Sequence, residues 1–266
     1  MSVAPDHLLA RGCYRRLLVV IRHDAWPTIA IQYAVAWAAR DAVAHVAIVP
    51  ETGEETGVAR CMDYAYRRDI ARADAVRCAL AARGLNATQS LVPPAHAGAN
   101  IRDSIARLAR RWGADIVLTD DLAPAHLARA AACGVLHLPA DGSRRFHVPP
   151  RRLFVASDES ASALCAAEEA ERVAGAGELR RAFVSCEPEI AASPESSGSG
   201  TVVLTAAHPG DNLAHAILQA AHAWCADLLV LGTHGAGPQA RWRYGSVAAA
   251  VALFTDMPLL VVPEKS

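Results

Sequence analysis

Three glycines and a serine are the residues of this chain best suited to hold a ligand. In GTHGAGPQARWRYGS, residues 232–246, Gly232, Gly235 and Gly245-Ser246 lie between a strand-like run, ADLLVL, and an alanine-rich one, VAAAVALF. Glycine lets the backbone approach an anion closely and turn its N–H groups inward. A helix opening at Ser246 adds its positive N-terminal dipole, and the serine hydroxyl can cap that helix or donate to a phosphate oxygen. The segment therefore reads as a phosphate cradle that lacks the lysine of a P-loop.

A second group of candidates is acidic and imidazole-bearing. His23-Asp24, Asp120-Asp121 and His96 fall at the ends of strand-like runs. Gathered at one end of a sheet, they would bind a divalent cation or serve a small substrate as acid and base. The competing reading is that strand ends are loops whose polar residues face water. A shared ion requires carboxylate oxygens of Asp24 and Asp120 within about 5 Å of each other. His208, His215 and His222 recur every seven residues along one side of a helix. Two helical turns separate neighbours by about 10 Å, too far to share one ion, so they mark a solvated or interface face. Trp112 and Trp224 are packing residues, the arginine runs ARRW and SRRF solvated faces. No Ser-His-Asp or Cys-His set can be argued from spacing.

The elements that must position these residues alternate short apolar runs with longer helical patterns, the mark of parallel α/β organisation. Strands are predicted near 16–22, 43–49, 87–92, 115–119 and 134–138, then near 152–157, 179–185, 201–206, 228–231 and 258–262. Helices are predicted near 27–40, 57–83, 99–112 and 122–132, then near 160–174, 211–224 and 246–255. In such a sheet, ligands gather at the carboxyl ends of the strands. The glycine segment leaves such an end.

The chain also repeats itself. HAGANIRDSIARLARRWGADIVL, from His96, aligns without a gap with HPGDNLAHAILQAAHAWCADLLV, from His208. Trp112 meets Trp224, and Ala114-Asp115 meets Ala226-Asp227. Upstream, RRLLVV at Arg15 echoes RRLFVA at Arg151. Two related domains follow, 1–143 and 151–266, joined by ADGSRRFHVPP. The long helix of the first has no counterpart in the second, where EPEIAASPESSGSG suits a flexible loop.

Bulk composition narrows the function classes. A formal charge of −1 across 266 residues argues against a broad basic surface for nucleic acid. Seven cysteines, scattered and never spaced as CxxC, suit a reducing compartment, with Cys133, Cys165 and Cys225 expected to be buried. No apolar run approaches the roughly 20 residues of a membrane crossing. A cytoplasmic protein is the expectation.

With these residues in place, the chain resembles the universal stress protein family. Gly232, Gly235, Gly245 and Ser246 match that family's G-x2-G-x9-G-[S/T] nucleotide-binding motif in register, after a strand beginning with Ala-Asp and before an alanine-rich helix. The closing PLLVVP fits too. The resemblance implies two tandem flavodoxin-like (adenine nucleotide alpha hydrolase-like) domains, each a five-stranded parallel sheet of order 3-2-1-4-5, their final strands paired as in a dimer of single-domain relatives. It implies ATP or another adenine nucleotide as ligand, with Asp158, ending the first strand of the second copy, on the nucleoside part. Ala236 departs from the arginine often found there, leaving Arg241 and Arg243 nearby.

The first copy has no glycine motif. Thr119, Asp120 and Asp121 stand where the second copy begins its loop, and Arg22 replaces the first-strand aspartate. Two carboxylates repel phosphate, at about 4 kcal/mol for each charge pair 4 Å apart in an effective dielectric of 20. The expected function is that of a stress-response protein whose nucleotide regulates, with at most slow ATP hydrolysis and no catalytic set. Its partners would be the nucleotide, the other half of the chain and further copies of it. The alternatives are a nucleotide-free interaction module and a metal-dependent enzyme using the first copy's acidic residues.

Overall fold

The computed structural model describes residues 12–22, 27–50, 59–93, 100–120, 123–139, 146–185, 201–205, 213–233 and 247–264. In the first half, strands Tyr14–Ile21 (β1), Ala38–Ile48 (β2), Asn86–Leu91 (β3), Ile116–Thr119 (β4) and Gly134–His137 (β5) alternate with helices Thr28–Trp37 (α1), Ala59–Ala81 (α2), Ile101–Trp112 (α3) and Pro124–Ala131 (α4). In the second, the strands are Arg152–Ser157 (β6), Glu178–Ser185 (β7), Thr201–Thr205 (β8), Leu228–Gly232 (β9) and Leu259–Val262 (β10). Its helices are Ala161–Ala174 (α5), Leu213–Ala223 (α6) and Val247–Phe254 (α7). The EPEIAASPESSGSG segment lies outside the described residues.

All ten strands form one sheet, ordered β3-β2-β1-β4-β5-β10-β9-β6-β7-β8. Each half repeats the order 3-2-1-4-5 with parallel neighbours. The halves meet where β5 and β10 pair antiparallel, Leu136 opposite Leu260, with His137 opposite Leu259. Both strands are short and apolar and would otherwise be exposed edges, which explains why they pair.

The central strands are buried on both faces, so they read as continuous apolar runs rather than alternating ones. Leu17 and Val19 enter the core beneath α1, α2 and α5, while Leu18 and Val20 enter the core beneath α3, α4, α6 and α7. Leu17, Leu18 and Val19 are wholly inaccessible to solvent, and each such side chain contributes about 1.5–3 kcal/mol.

One boundary departs from expectation. Alanine-rich composition extends the first helix to residue 40, yet α1 stops at Trp37 and β2 begins at Ala38. Ala38 pairs with Tyr14 of β1, and Gly12 runs so close that a Cβ there would lie 2.3 Å from Ala38 O. Strand pairing overrides helix propensity at this point.

The best-matched residues of the repeat form a clip. Asp115 Oδ2 accepts from the N–H groups of Arg15 and Arg16 at 2.7 and 2.9 Å. Asp227 Oδ2 does the same for Arg151 and Arg152 at 3.0 and 3.1 Å. Arg16 covers the Trp112 ring at 4.7 Å and Arg152 covers Trp224 at 5.9 Å. Each clip ties the start of a half's first strand to the helix–strand corner before its fourth. A second tie crosses between the halves: Tyr14 Oη donates to Glu169 Oε1 of α5 at 2.5 Å, and Arg172 Nη1 donates to Cys13 O at 2.8 Å.

Cys225, expected inside, is exposed. It takes the left-handed position after α6, φ 57°, that Gly113 takes after α3 with φ 72°. Glycine adopts this conformation without strain, whereas another residue pays roughly 1–2 kcal/mol, partly offset by glycine's freedom in the unfolded chain. Cys225→Gly is therefore expected to gain about 0.5 kcal/mol, read as a melting temperature higher by about 1–2 °C. Cys133 is half-buried, and burial pushes its thiol up to about 12.

Candidate functional site

Sheet order brings β6 and β9 side by side, Val155 opposite Val230, so their carboxyl ends share one mouth. Beyond β6, Asp158 stands half-buried, and its Oδ1 accepts from the N–H of Ser160 at 3.2 Å. Ser160 is the N-cap of α5, its hydroxyl accepting from Ala163 N at 3.3 Å. Gly232 ends β9 directly against this helix start. A Cβ on Gly232 would lie 2.6 Å from the carbonyl carbon of Ser162 and 2.8 Å from Ala163 N. Ser162 and Thr233 beside it are buried, and Thr233 N donates to Val262 O at 3.1 Å.

Asp158, the start of α5 and Gly232 thus converge. The mouth combines a carboxylate acceptor, which suits hydroxyl or amine groups, with a positive helix end. Gly235, Ala236, Arg241, Arg243, Gly245 and Ser246 lie outside the described residues, and α7 opens immediately after them at Val247. Gly232 also carries a role that its motif position does not suggest. Its missing side chain makes room for the backbone of α5.

In the first half the corresponding strand ends carry opposite chemistry. Arg22 follows β1 where Asp158 follows β6, and Asp120 follows β4 at the position of Gly232. Arg22 Nε and Asp120 Oδ1 are both buried atoms without a hydrogen bond, although each residue keeps other contacts. His23, Asp24, His96 and Asp121 lie outside the described residues, so the Asp24–Asp120 separation is not defined. Among the described residues, no group of three or more His, Cys, Asp or Glu side chains could hold a metal ion. On α6, His215 is exposed and His222 Nε2 pairs with Asp256 Oδ1 at 3.1 Å, while His208 lies outside the described residues. No helix among the described residues is long and apolar enough to cross a membrane.

A doubled 3-2-1-4-5 sheet, with an acidic strand end and a glycine-bearing strand end beside one helix start, defines a tandem flavodoxin-like α/β protein. The family model of the universal stress protein family matches residues 195–263, which include the whole glycine segment. That match lies within the C-terminal half, and the whole chain carries the fold of solved universal stress proteins. A universal stress protein from Archaeoglobus fulgidus superposes with a TM-score of 0.66 at 17% identity, covering 93% of this chain and 96% of its own. A Pseudomonas aeruginosa protein assigned to the same family gives a TM-score of 0.60 at 15% identity, covering 97% and 95%. A universal stress protein solved in complex with cAMP covers 47% of this chain and 97% of its own at 19% identity, with a TM-score of 0.32, too slight a likeness to bear on this chain. No curated protein matches the sequence.

Sequence reasoning missed the α5 start as the partner of Gly232, since the two are far apart in the chain. It also noted the matched aspartates Asp115 and Asp227 without a role for them. Their signal was present: an Ala-Asp pair at equivalent places in both copies.

Proposed function

We propose that this chain is a cytoplasmic stress-response protein that binds ATP or a related adenine nucleotide in a C-terminal domain, residues 151–266. The convergence of Asp158, the α5 N-terminus and Gly232 at one mouth carries this reading. Asp158 would accept from the nucleoside hydroxyls. The backbone of Gly235 and Gly245, with Ser246 at the start of α7, would hold the phosphates. The first domain, residues 1–143, has Asp120 and Arg22 at the corresponding places and would bind no ATP. The antiparallel β5–β10 pairing would stand in for the dimer of single-domain relatives, making the two domains partners within one chain.

Titration of the purified protein with ATP and AMP by calorimetry tests the reading. Saturable heat is expected for the wild type. Asp158→Ala and Gly235→Val are expected to weaken binding by about tenfold or more, the loss of one hydrogen bond to a charged group or of close backbone approach. No binding of either nucleotide at millimolar concentration would overturn the proposal in favour of a nucleotide-free interaction module. Mass spectrometry of gently extracted protein for co-purifying nucleotide separates the same two outcomes.

A further inference from the structure

On the face of the sheet covered by α3, three polar side chains meet at the outer edge of the first half. His45 of β2, only 9% exposed, lies between two hydroxyls of β3. Its Nε2 is 2.8 Å from Ser90 Oγ and its Nδ1 is 2.7 Å from Thr88 Oγ1. The strand register produces this contact: His45 stands opposite Thr88, and Thr88 and Ser90, two residues apart, share a face. The imidazole ring is held by Trp112, centroids 5.5 Å apart, and Trp112 is in turn covered by Arg16.

A neutral imidazole has one donor and one acceptor nitrogen. With its proton on Nδ1, His45 donates to Thr88 and leaves Nε2 to accept the Ser90 hydroxyl proton. Nucleophile, base and orienting group are then in hydrogen-bond reach, the pattern of an activated serine. The second half shows that covering the tryptophan does not require this set. There Arg180 covers Trp224 at 4.8 Å, and Val202 takes the position of Ser90 in the ladder.

We propose that Ser90 is an activated nucleophile, with His45 its general base and Thr88 its positioning residue, that accepts acyl groups from small activated carboxylic esters. Ser90 Oγ forms a bond to the ester carbonyl carbon while its proton passes to His45 Nε2. The bond to the leaving alcohol then breaks, and that alcohol carries the proton away. Water attacks the acyl-serine in a second step, restoring the hydroxyl and releasing the carboxylic acid. β3 is an edge strand and Ser90 is half-buried, so a small ester reaches the oxygen. Burial lowers the His45 imidazole below its ordinary value, which keeps it neutral at pH 7. Thr88 carries no charge to stabilise the imidazolium, so the acyl group is expected to be released slowly.

The test is reaction of the full chain with p-nitrophenyl acetate, followed by peptide mapping. One acetyl group is expected on Ser90, formed in a burst of about one nitrophenolate per chain. His45→Gln, checked for folding by circular dichroism, is expected to slow that acetylation by at least about 100-fold, the lower range for general-base catalysis. Thr88→Val is expected to slow it by a smaller factor with the same melting behaviour. Acetylation of Ser90 no faster than that of the half-buried helix cap Ser160 would overturn the proposal from the wild type alone. So would equal labelling in folded His45→Gln.

Discussion

Asp227→Ala is expected to lower stability by about 3 kcal/mol, and Asp115→Ala by about 1 kcal/mol. Both aspartates accept from two successive strand N–H groups. Burial separates them: Asp227 is 7% exposed, whereas Asp115 stands in solvent. Asp227 also accepts from His147, through its N–H at 3.2 Å and its Nδ1 at 3.0 Å. Removing a buried acceptor strands donors that water cannot fully reach, and removing an exposed one does not. For a chain of this size the difference corresponds to a melting temperature about 6–12 °C lower for Asp227→Ala and about 2–4 °C lower for Asp115→Ala.

The same site sets an acid dependence. Burial by itself would raise the Asp227 carboxyl, but the His147 ring and the N–H groups of His147, Arg151 and Arg152 outweigh it and hold the pKa below its ordinary value. A group depressed on folding contributes stability above its unfolded pKa and loses it as pH falls through the folded one. The gap between wild type and Asp227→Asn should therefore be full at pH 7 and narrow below about pH 4, near the ordinary Asp value. Urea unfolding at the two pH values measures it. An equal gap at both would mean that the carboxylate charge is not what holds the clip.

Gly232→Ala is expected to cost about 3 kcal/mol, at the upper end for overpacking a tight site. The added Cβ would meet the backbone of Ser162 and Ala163, not the flexible end of a side chain, so the start of α5 must move. Thermal unfolding without any ligand reads this loss. The consequence for the glycine motif is practical. A Gly232 variant that fails to bind nucleotide would report a displaced helix as much as a lost contact, whereas Gly235→Val and Asp158→Ala probe the proposed site more directly. Should Gly232→Ala melt within about 1 °C of the wild type, the close approach of β9 to α5 would not be what requires glycine.

Much of the architecture was legible in the chain. Apolar runs such as LLVVI and LLVL marked strands buried on both faces, and the match of His96–Leu118 with His208–Val230 marked the doubling. The failures have physical causes. Helix propensity carried α1 past Trp37 because a single-chain pattern does not contain the pairing of Ala38 with Tyr14. Cys225 read as an inward apolar residue because nothing local announces a left-handed helix end when the glycine of the first copy is replaced. The first copy's acidic cluster is not among these failures: of His23, Asp24, His96, Asp120 and Asp121, the described residues include only Asp120, at a strand end.

Sequence by itself determined the element types, their order and the residues that the repeat matches, because period and composition are properties of the chain. Tertiary structure decided what those residues do. Asp115 and Asp227, equally matched in the repeat, differ in burial through their surroundings. Gly232 serves a helix 70 residues away in the chain, because parallel pairing of β6 with β9 brings α5 over it. His45 meets Ser90 only through the β2–β3 register, in which a shift of one residue would send each side chain to the other face. Contacts between distant segments follow from pairing and register, and local pattern does not encode them.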